Sequence, residues 1–324
     1  MILGLALPKR VYLAQNEVAV TFVVPAENGC NMSCSFCAIR ARAEAKPGQS
    51  VVGMNDYVAF LRASAENYDV GVVSLQGYEP LLPESWAYTE AILRAANEFG
   101  LRTALVTNGS YLADRAEALR ELGLGSLSVS IDAATAEVHD RSRGTPGALA
   151  MTVHGLRAAI DCGLADRITI ASVMQRGRAE LLDGMPEFVA GLGLKRWVVT
   201  PVQSFGRVGG TVDTASYILG EGKRLYIASI EAGVEFELDD ELEALLCETA
   251  EDHAAVAMLR ERRVQRADQI IRLSPSGAVS RGAEIRRRVT EANTHWNPRG
   301  EEAVHLLQRL EQMHKRPQLQ LVVQ

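Results

Sequence analysis

Apolar and polar positions along this chain alternate between two periods. Short apolar runs at Val18–Val24, Val70–Leu75, Thr103–Thr107, Leu127–Ile131, Ile168–Val173 and Trp197–Thr200 have the length and β-branched content of buried strands. Segments with helical spacing separate them, at Asn55–Asn67, Glu84–Phe99, Tyr111–Leu122, Ala148–Cys162 and Ala179–Leu192. In the first of these, Tyr57, Phe60, Leu61 and Ala65 share a face, and Asn55 is the candidate N-cap. Gly100, Gly123 and Gly163 stand where helices stop. Strands alternating with helices predict an α/β fold with a parallel sheet and right-handed crossovers. Six strand–helix units are fewer than the eight of a closed barrel. The pattern changes after Thr200, so residues 1–205 are expected to form the barrel and 206–324 a capping region. That region predicts a helix at Thr214–Ala232, a strand at Val234–Leu238, a charged helical stretch at Asp239–Arg263 and a final helix at Glu301–His314. Ile270–Leu273 and Ala278–Ser280, flanking Ser274-Pro275-Ser276-Gly277, read as a hairpin. Met1–Glu17 is expected over the bottom of the barrel, and Arg40–Val52 as a loop.

In parallel barrels the chemistry sits at the C-terminal strand ends. Here those ends carry Cys30, Cys34 and Cys37 after the first strand, Gly77 to Glu79 after the second, and Asn108, Asp132, Gln175 and Pro201 after the next four. The three cysteines follow Pro25, Asn28 and Gly29, which end the strand and put them on a loop. Three thiolates so closely spaced suit one small inorganic object. A cubane iron–sulfur cluster normally takes four cysteines, so three leave one iron open. Two other readings stand beside this one: a helix burying the three thiols on one face, and a three-thiolate zinc site.

The ordered set of motifs resembles the radical S-adenosylmethionine (SAM) superfamily, in the branch of the molybdopterin cyclase and the anaerobic sulfatase maturases. Cys30-x3-Cys34-x2-Cys37 with Phe36 before the last cysteine resembles the family's cluster loop. Gln76-Gly77-Tyr78-Glu79-Pro80 resembles its Gly-Gly-Glu-Pro element, with Tyr78 in place of a glycine. Leu105–Gly109 and Ser128–Asp132 resemble its third and fourth strand ends. The resemblance covers about residues 18–205. It implies an open six-unit (β/α)6 partial TIM barrel, one [4Fe-4S] cluster on the three cysteines, and SAM as cofactor. It also implies a reductant such as flavodoxin or ferredoxin. Phe36 would pack beside adenine. Backbone at Gly77, Tyr78 and Glu79 would hold the SAM amino group, with Asn108 beside them. Ser130 and Gln175 would meet ribose or carboxylate, and Thr200 and Pro201 adenine. The hairpin resembles that of an auxiliary-cluster domain, but Arg281 stands where a cysteine ligand belongs. Only Cys162 and Cys247 lie outside the main motif, too few for a second four-cysteine cluster, and they read as buried structural thiols. The C-terminal α+β extension is therefore expected to be cluster-free, which favours redox-neutral or radical-quenching chemistry.

Composition narrows the function. Hydrophobic residues are 47% and charged residues 23% of the 324-residue chain, an ordinary globular balance. A net charge of −6 argues against nucleic acid held through phosphates. No run of 18 apolar residues or signal segment is seen, so no membrane partner is expected and the cytoplasm is the expected compartment. Three clustered cysteines among five do not make a disulfide framework. For substrate chemistry, Glu27, Arg143 and Arg178 are the candidate catalytic residues, with His139, Arg141, Arg176, Arg207 and Asp213 behind them. Arginines at a strand-end mouth suit a carboxylate or phosphate. The expected substrate is a small polar metabolite, a sugar or nucleoside. The favoured reaction resembles the redox-neutral decarboxylation of a sugar-acid nucleoside such as cytosylglucuronate. An epimerase, dehydratase or peptide-modifying maturase is the alternative within the family, and a non-catalytic iron–sulfur scaffold the alternative outside it.

Overall fold

The computed structural model describes residues 17–37, 52–175, 177–201, 215–238, 270–275, 278–281 and 294–295. The expected helical stretch at 239–263 and final helix at 301–314, the Cys247 thiol, Arg176, Arg207 and Asp213 lie outside them. One sheet organises the chain. Its strands are β1 (Val18–Val24), β2 (Val70–Gly77), β3 (Arg102–Thr107), β4 (Ser126–Ser130), β5 (Ile168–Met174), β6 (Arg196–Pro201), β7 (Glu235–Leu238), β8 (Ile270–Leu273), β9 (Ala278–Arg281) and β10 (Thr294–His295). The spatial order is β10-β9-β8-β1-β2-β3-β4-β5-β6-β7. Pairing is parallel from β8 through β1 to β7 and antiparallel between β8, β9 and β10. The sheet is open, with β10 and β7 at its edges.

This is the expected open α/β barrel with two parallel strands added. β7 extends the sheet beyond β6, and β8 pairs with the outer side of β1, Ala19 to Phe22 matching Ile270 to Leu273. The C-terminal region thus contributes to the same sheet as the barrel. The hairpin forms as its turn signal implies, and places β8 beside the strand that leads into the cysteine loop.

The helices are α1 (Met54–Asn67), α2 (Pro83–Glu98), α3 (Leu112–Glu121), α4 (Ala136–Arg143), α5 (Ala148–Asp161), α6 (Met185–Gly191) and α7 (Ala215–Glu231). Three differ from the sequence expectation. Gly53, not Asn55, precedes the first turn of α1, and Asp56 Oδ2 accepts the Gly53 N–H at 2.8 Å. The stretch expected as one helix at 179–192 is a 3-10 turn (Ala179–Leu182) followed by α6. Gly184 at φ +74° turns the chain between them, and Pro186 fits only a helix's first turn. The polar segment after β4 forms α4, whose residues lack an apolar stripe.

The helices bury one face of the sheet. Val20, Phe22, Leu75, Leu105, Leu127, Val129, Ile170, Trp197 and Val199 join the continuous core beneath them. Phe22 packs edge-on to Tyr57 and Phe60, and the Tyr57 hydroxyl donates to Val23 O at 2.9 Å. The opposite, inner face carries the alternate residues Ala104, Val106, Ser128, Ser130, Thr169, Ala171, Val173, Val198 and Thr200. These are small or β-branched and half-open, Val106 remaining 37% exposed. Half-open side chains on this face leave room for a ligand against the sheet.

Gly77 ends β2 at φ +144°, and a Cβ there would lie 2.6 Å from Val24 O and 2.9 Å from Val24 N. The obstruction is β1 backbone, which a side chain rearrangement does not relieve. Gly77→Ala is expected to destabilise the protein by about 2 kcal/mol or more, from the strained dihedral plus the clash. Urea unfolding measures this; an unchanged midpoint would refute it.

Candidate functional site

Every strand from β1 to β6 ends at the same edge, and the cysteine loop crosses that edge. Residues 25–37 are turns and bends with no helix, which removes the reading of three thiols on one helical face. Gly29, at φ +80°, turns the loop, and Asn28 is held from outside, its N and Nδ2 donating to the two Glu84 carboxylate oxygens at 3.0 and 3.1 Å. Cys30, Cys34 and Cys37 are half-buried free thiols.

Two polar networks clamp this loop. The first comes from β2 and β3. Glu79 is buried, and its carboxylate accepts from Thr107 Oγ1 at 2.6 Å, Asn108 N at 2.7 Å and Leu81 N at 3.0 Å. Burial raises its pKa against the pull of those donors. Asn108, so fixed, directs Nδ2 to Asn31 Oδ1 at 2.9 Å and to Cys30 Sγ at 3.7 Å. Asn31 Nδ2 donates on to Ser110 Oγ at 2.9 Å, which donates back to Asn108 Oδ1 at 2.6 Å. The Met32 N–H also points to Cys30 Sγ, at 3.4 Å.

The second network comes from β4, α4 and β5. Asp132 is buried, and Oδ1 accepts from Arg143 Nη2 at 2.9 Å and Val173 N at 3.0 Å, while Oδ2 accepts from Ser142 Oγ at 2.8 Å. Arg143 Nε lies 2.8 Å from Oδ2 as an ion pair, without the alignment of a hydrogen bond. Burial opposes the Arg143 charge, but Asp132 outweighs it and the pKa stays raised. The guanidinium stands over the Phe36 ring, 5.6 Å from its centre, and Nη1 reaches Cys34 Sγ at 3.8 Å. Arg143 O accepts the Ser33 N–H at 2.9 Å. Gly144, at φ +61°, lets the loop pass, because a Cβ there would lie 2.6 Å from Ser33 O. Gln175 Nε2 joins through Ser142 Oγ at 3.1 Å.

Burial pushes the Cys30 thiol up to about 11 and raises Cys34 too, the latter eased by Arg143. Ligand binding must therefore expel protons from this loop. Among the described residues no group of three His, Cys, Asp or Glu side chains is gathered to hold a metal ion. Three soft donors on one half-buried loop, two of them already receiving N–H groups, fit an iron–sulfur cluster.

The expected site residues divide. Phe36, Tyr78, Glu79, Asn108 and the cysteines are gathered at one edge. Tyr78 is buried with Ala26 and Leu82, against Cys30 and Tyr111, so its ring fills the Cys30 side of the loop. Ser130 and Thr200 are half-open on the inner face, and Pro201 ends β6 beside Met174. Glu27 is exposed. Arg178 is exposed, 3.9 Å from Glu180, and Arg141 pairs with Glu137 at 2.8 Å. Arg143 is not a free cation at the mouth but is engaged by Asp132. Cys162, expected to be buried, is half-exposed beyond α5 and donates to Ala159 O at 3.3 Å. The clamping residues Asn31, Thr107 and Ser142 were not legible as such; short polar residues at strand ends were their only signal.

His139 backs the second network. Its Nδ1 accepts the Asp132 N–H at 3.1 Å, and burial, then the Arg143 charge, lower its pKa from 6.5 to about 4. A depressed base stabilises the fold above its unfolded pKa, and that contribution is lost as pH falls from 6.5 towards 4. The protein is expected to lose on the order of 3 kcal/mol across that window. A His139→Gln variant whose stability fell equally steeply between those pH values would show that another group is responsible.

Residues 25–180 match the family model described as Radical SAM superfamily. Over 130 residues the chain is 35% identical to the AdoMet-dependent heme synthase of Methanosarcina barkeri, covering 40% of this chain and 35% of that protein. It is 33% identical over 181 residues to the probable GTP 3′,8-cyclase of Methanopyrus kandleri, covering 54% of each. The chain thus spans about half or less of these curated relatives. Among solved structures, SuiB of Streptococcus suis bound to S-adenosylmethionine superposes with a TM-score of 0.66 at 16% identity, covering 87% of this chain and 63% of that one. Native anSMEcpe with bound AdoMet superposes with a TM-score of 0.58 at 15% identity, covering 81% of this chain and 73% of that one. These likenesses are of fold.

Proposed function

We propose that this chain, whose residues 25–180 form a radical SAM superfamily domain, is an enzyme that draws a hydrogen atom from a small polar metabolite. The observation that carries the reading is the doubly clamped loop: Asn108 directed at Cys30 and Arg143 at Cys34, each fixed by a buried carboxylate. When bound, a [4Fe-4S] cluster and SAM supply a 5′-deoxyadenosyl radical after one-electron reduction. Everything else is work for the chain. Cys30, Cys34 and Cys37 would hold the cluster and leave one iron for SAM. Phe36 and Tyr78 would keep water from its two sides. Backbone at Gly77 to Glu79 would receive the SAM amino group, Ser130 and Gln175 its polar groups, and Thr200 and Pro201 its adenine. The inner face, with Val106 and Val198 between the hydroxyls of Ser128, Thr169 and Thr200, holds the substrate and excludes solvent.

Within this class the favoured reaction is redox-neutral, with decarboxylation of a sugar-acid nucleoside as the specific candidate. Arg281 in place of a second-cluster cysteine supports a reaction that needs no electron carried away. The names of the relatives keep cyclisation and peptide modification as the alternative. A flavodoxin or ferredoxin would supply the electron. Anaerobic reconstitution with iron and sulfide, followed by SAM and dithionite, is expected to yield 5′-deoxyadenosine and methionine. Reconstituted protein that binds the cluster but leaves SAM intact would instead be an electron-transfer scaffold.

A further inference from the structure

The arginine beside the cysteine loop is held as a directed dipole. Asp132 takes the Nε–Nη2 edge of the Arg143 fork, at 2.8 and 2.9 Å. Nη1 lies opposite that edge and faces Cys34 Sγ at 3.8 Å. Seen from the sulfur, the carboxylate therefore stands behind the guanidinium. Ser142 Oγ and the Val173 N–H fix the carboxylate in turn, at 2.8 and 3.0 Å. On the loop side, the Phe36 ring lies 5.6 Å from the guanidinium, and Arg143 O accepts the Ser33 N–H at 2.9 Å. The two side chains are 8% and 0% exposed, so water does little to damp their field. Anchoring alone does not call for such a pair. Cys30 is met by neutral donors, Asn108 Nδ2 at 3.7 Å and the Met32 N–H at 3.4 Å. Burying two ions costs desolvation that neutral donors avoid.

We propose that Arg143 is a positioning residue that acts through Cys34 to raise the reduction potential of the bound cluster, with Asp132 restraining the rise. Reduction places a further negative charge on a group already held by three thiolates. A guanidinium at one of the sulfurs stabilises the reduced form more than the oxidised form. Charge, hydrogen bonds to sulfur and exclusion of solvent are the means by which a protein sets such a potential. Asp132 opposes the effect from behind, so the pair gives a smaller push than a bare cation. It also keeps the guanidinium aimed at the sulfur. The electron comes from a one-electron carrier of the flavodoxin or ferredoxin class, and Arg143 eases its arrival. This deepens the enzymatic reading above and rests on it for the presence of the cluster.

The test is a redox titration of the reconstituted full chain, without SAM and in strictly anoxic buffer, with the reduced cluster read by electron paramagnetic resonance. Arg143→Met is expected to weaken electron uptake about tenfold, a fall of about 59 mV for a one-electron couple. Asp132→Asn is expected to shift the potential the other way, because it leaves the cation unopposed. Arg143→Lys keeps the charge without the fork and is expected to stay within about threefold of the wild type. Loosening of the loop does not produce opposite signs from the two partners of one ion pair. Shifts in the same direction from Arg143→Met and Asp132→Asn, or no shift from Arg143→Met, overturn the proposal. If Arg143→Met fails to fold, Arg143→Met combined with Asp132→Asn serves instead, and a wild-type potential in that double variant overturns it equally. Formation of 5′-deoxyadenosine by the wild type is read separately. Its failure in protein that carries the cluster would sink the enzymatic reading, while the potentials would still decide the role of Arg143.

Discussion

Replacing any one of Cys30, Cys34 and Cys37 by alanine is expected to abolish 5′-deoxyadenosine formation and to remove most bound iron and sulfide. These are the three cysteines among residues 25–37, and a cluster with two protein ligands has lost a corner on which its assembly depends. The three losses are not equivalent in the cluster-free protein. Cys30 packs against Tyr78, Ala26 and Leu82, and Cys34 lies under the Arg143 guanidinium. Cys30→Ala removes half-buried volume, whereas Cys34→Ala removes the sulfur that faces a buried cation. Iron analysis, visible absorption and product assay measure the first claim. Retention of stoichiometric cluster and full SAM cleavage by Cys37→Ala would mean that the loop is not the ligand set.

Much of this site was legible from residues whose roles are local. The apolar run Val18–Val24 ending in Pro25 fixes both a strand and the place of the loop after it. Each later strand end was readable in the same way, because strand–helix alternation repeats along the chain. What was not legible depends on distance in sequence. Ile270–Leu273 is four residues long, and nothing in it states that its partner is β1, some 250 residues earlier. Arg143 was read as a mouth cation because an arginine after a strand suits an anionic substrate. Its real surroundings follow from α4, a helix without an apolar stripe, which turns Ser142 and Arg143 back towards Asp132. The break at Gly184 was visible as a residue type, but its positive φ was not.

The Asp132–Arg143 pair separates stability from cluster holding. Asp132→Ala is expected to destabilise the cluster-free protein by about 3–5 kcal/mol, because it strands a buried guanidinium and strips acceptors from Ser142 Oγ and Val173 N. Asp132→Asn should cost less, since an amide oxygen still accepts one of those bonds, but it too leaves the charge of Arg143 uncompensated. Adding Arg143→Met to Asp132→Asn removes the charge mismatch and replaces the guanidinium with apolar volume over Phe36. A buried ion pair exchanged for apolar groups of similar size is often near neutral. The double variant is therefore expected to regain most of the lost stability, with a coupling of about 1–3 kcal/mol between the two positions. It should not regain cluster retention, because the N–H directed at Cys34 is gone. Denaturant unfolding of the cluster-free protein gives the first quantity and the rate of cluster loss in air gives the second. If the double variant were as unstable as Asp132→Ala, the pair would be acting through hydrogen bonds alone. If its cluster lasted as long as the wild type's, Arg143 would have no part in holding the loop.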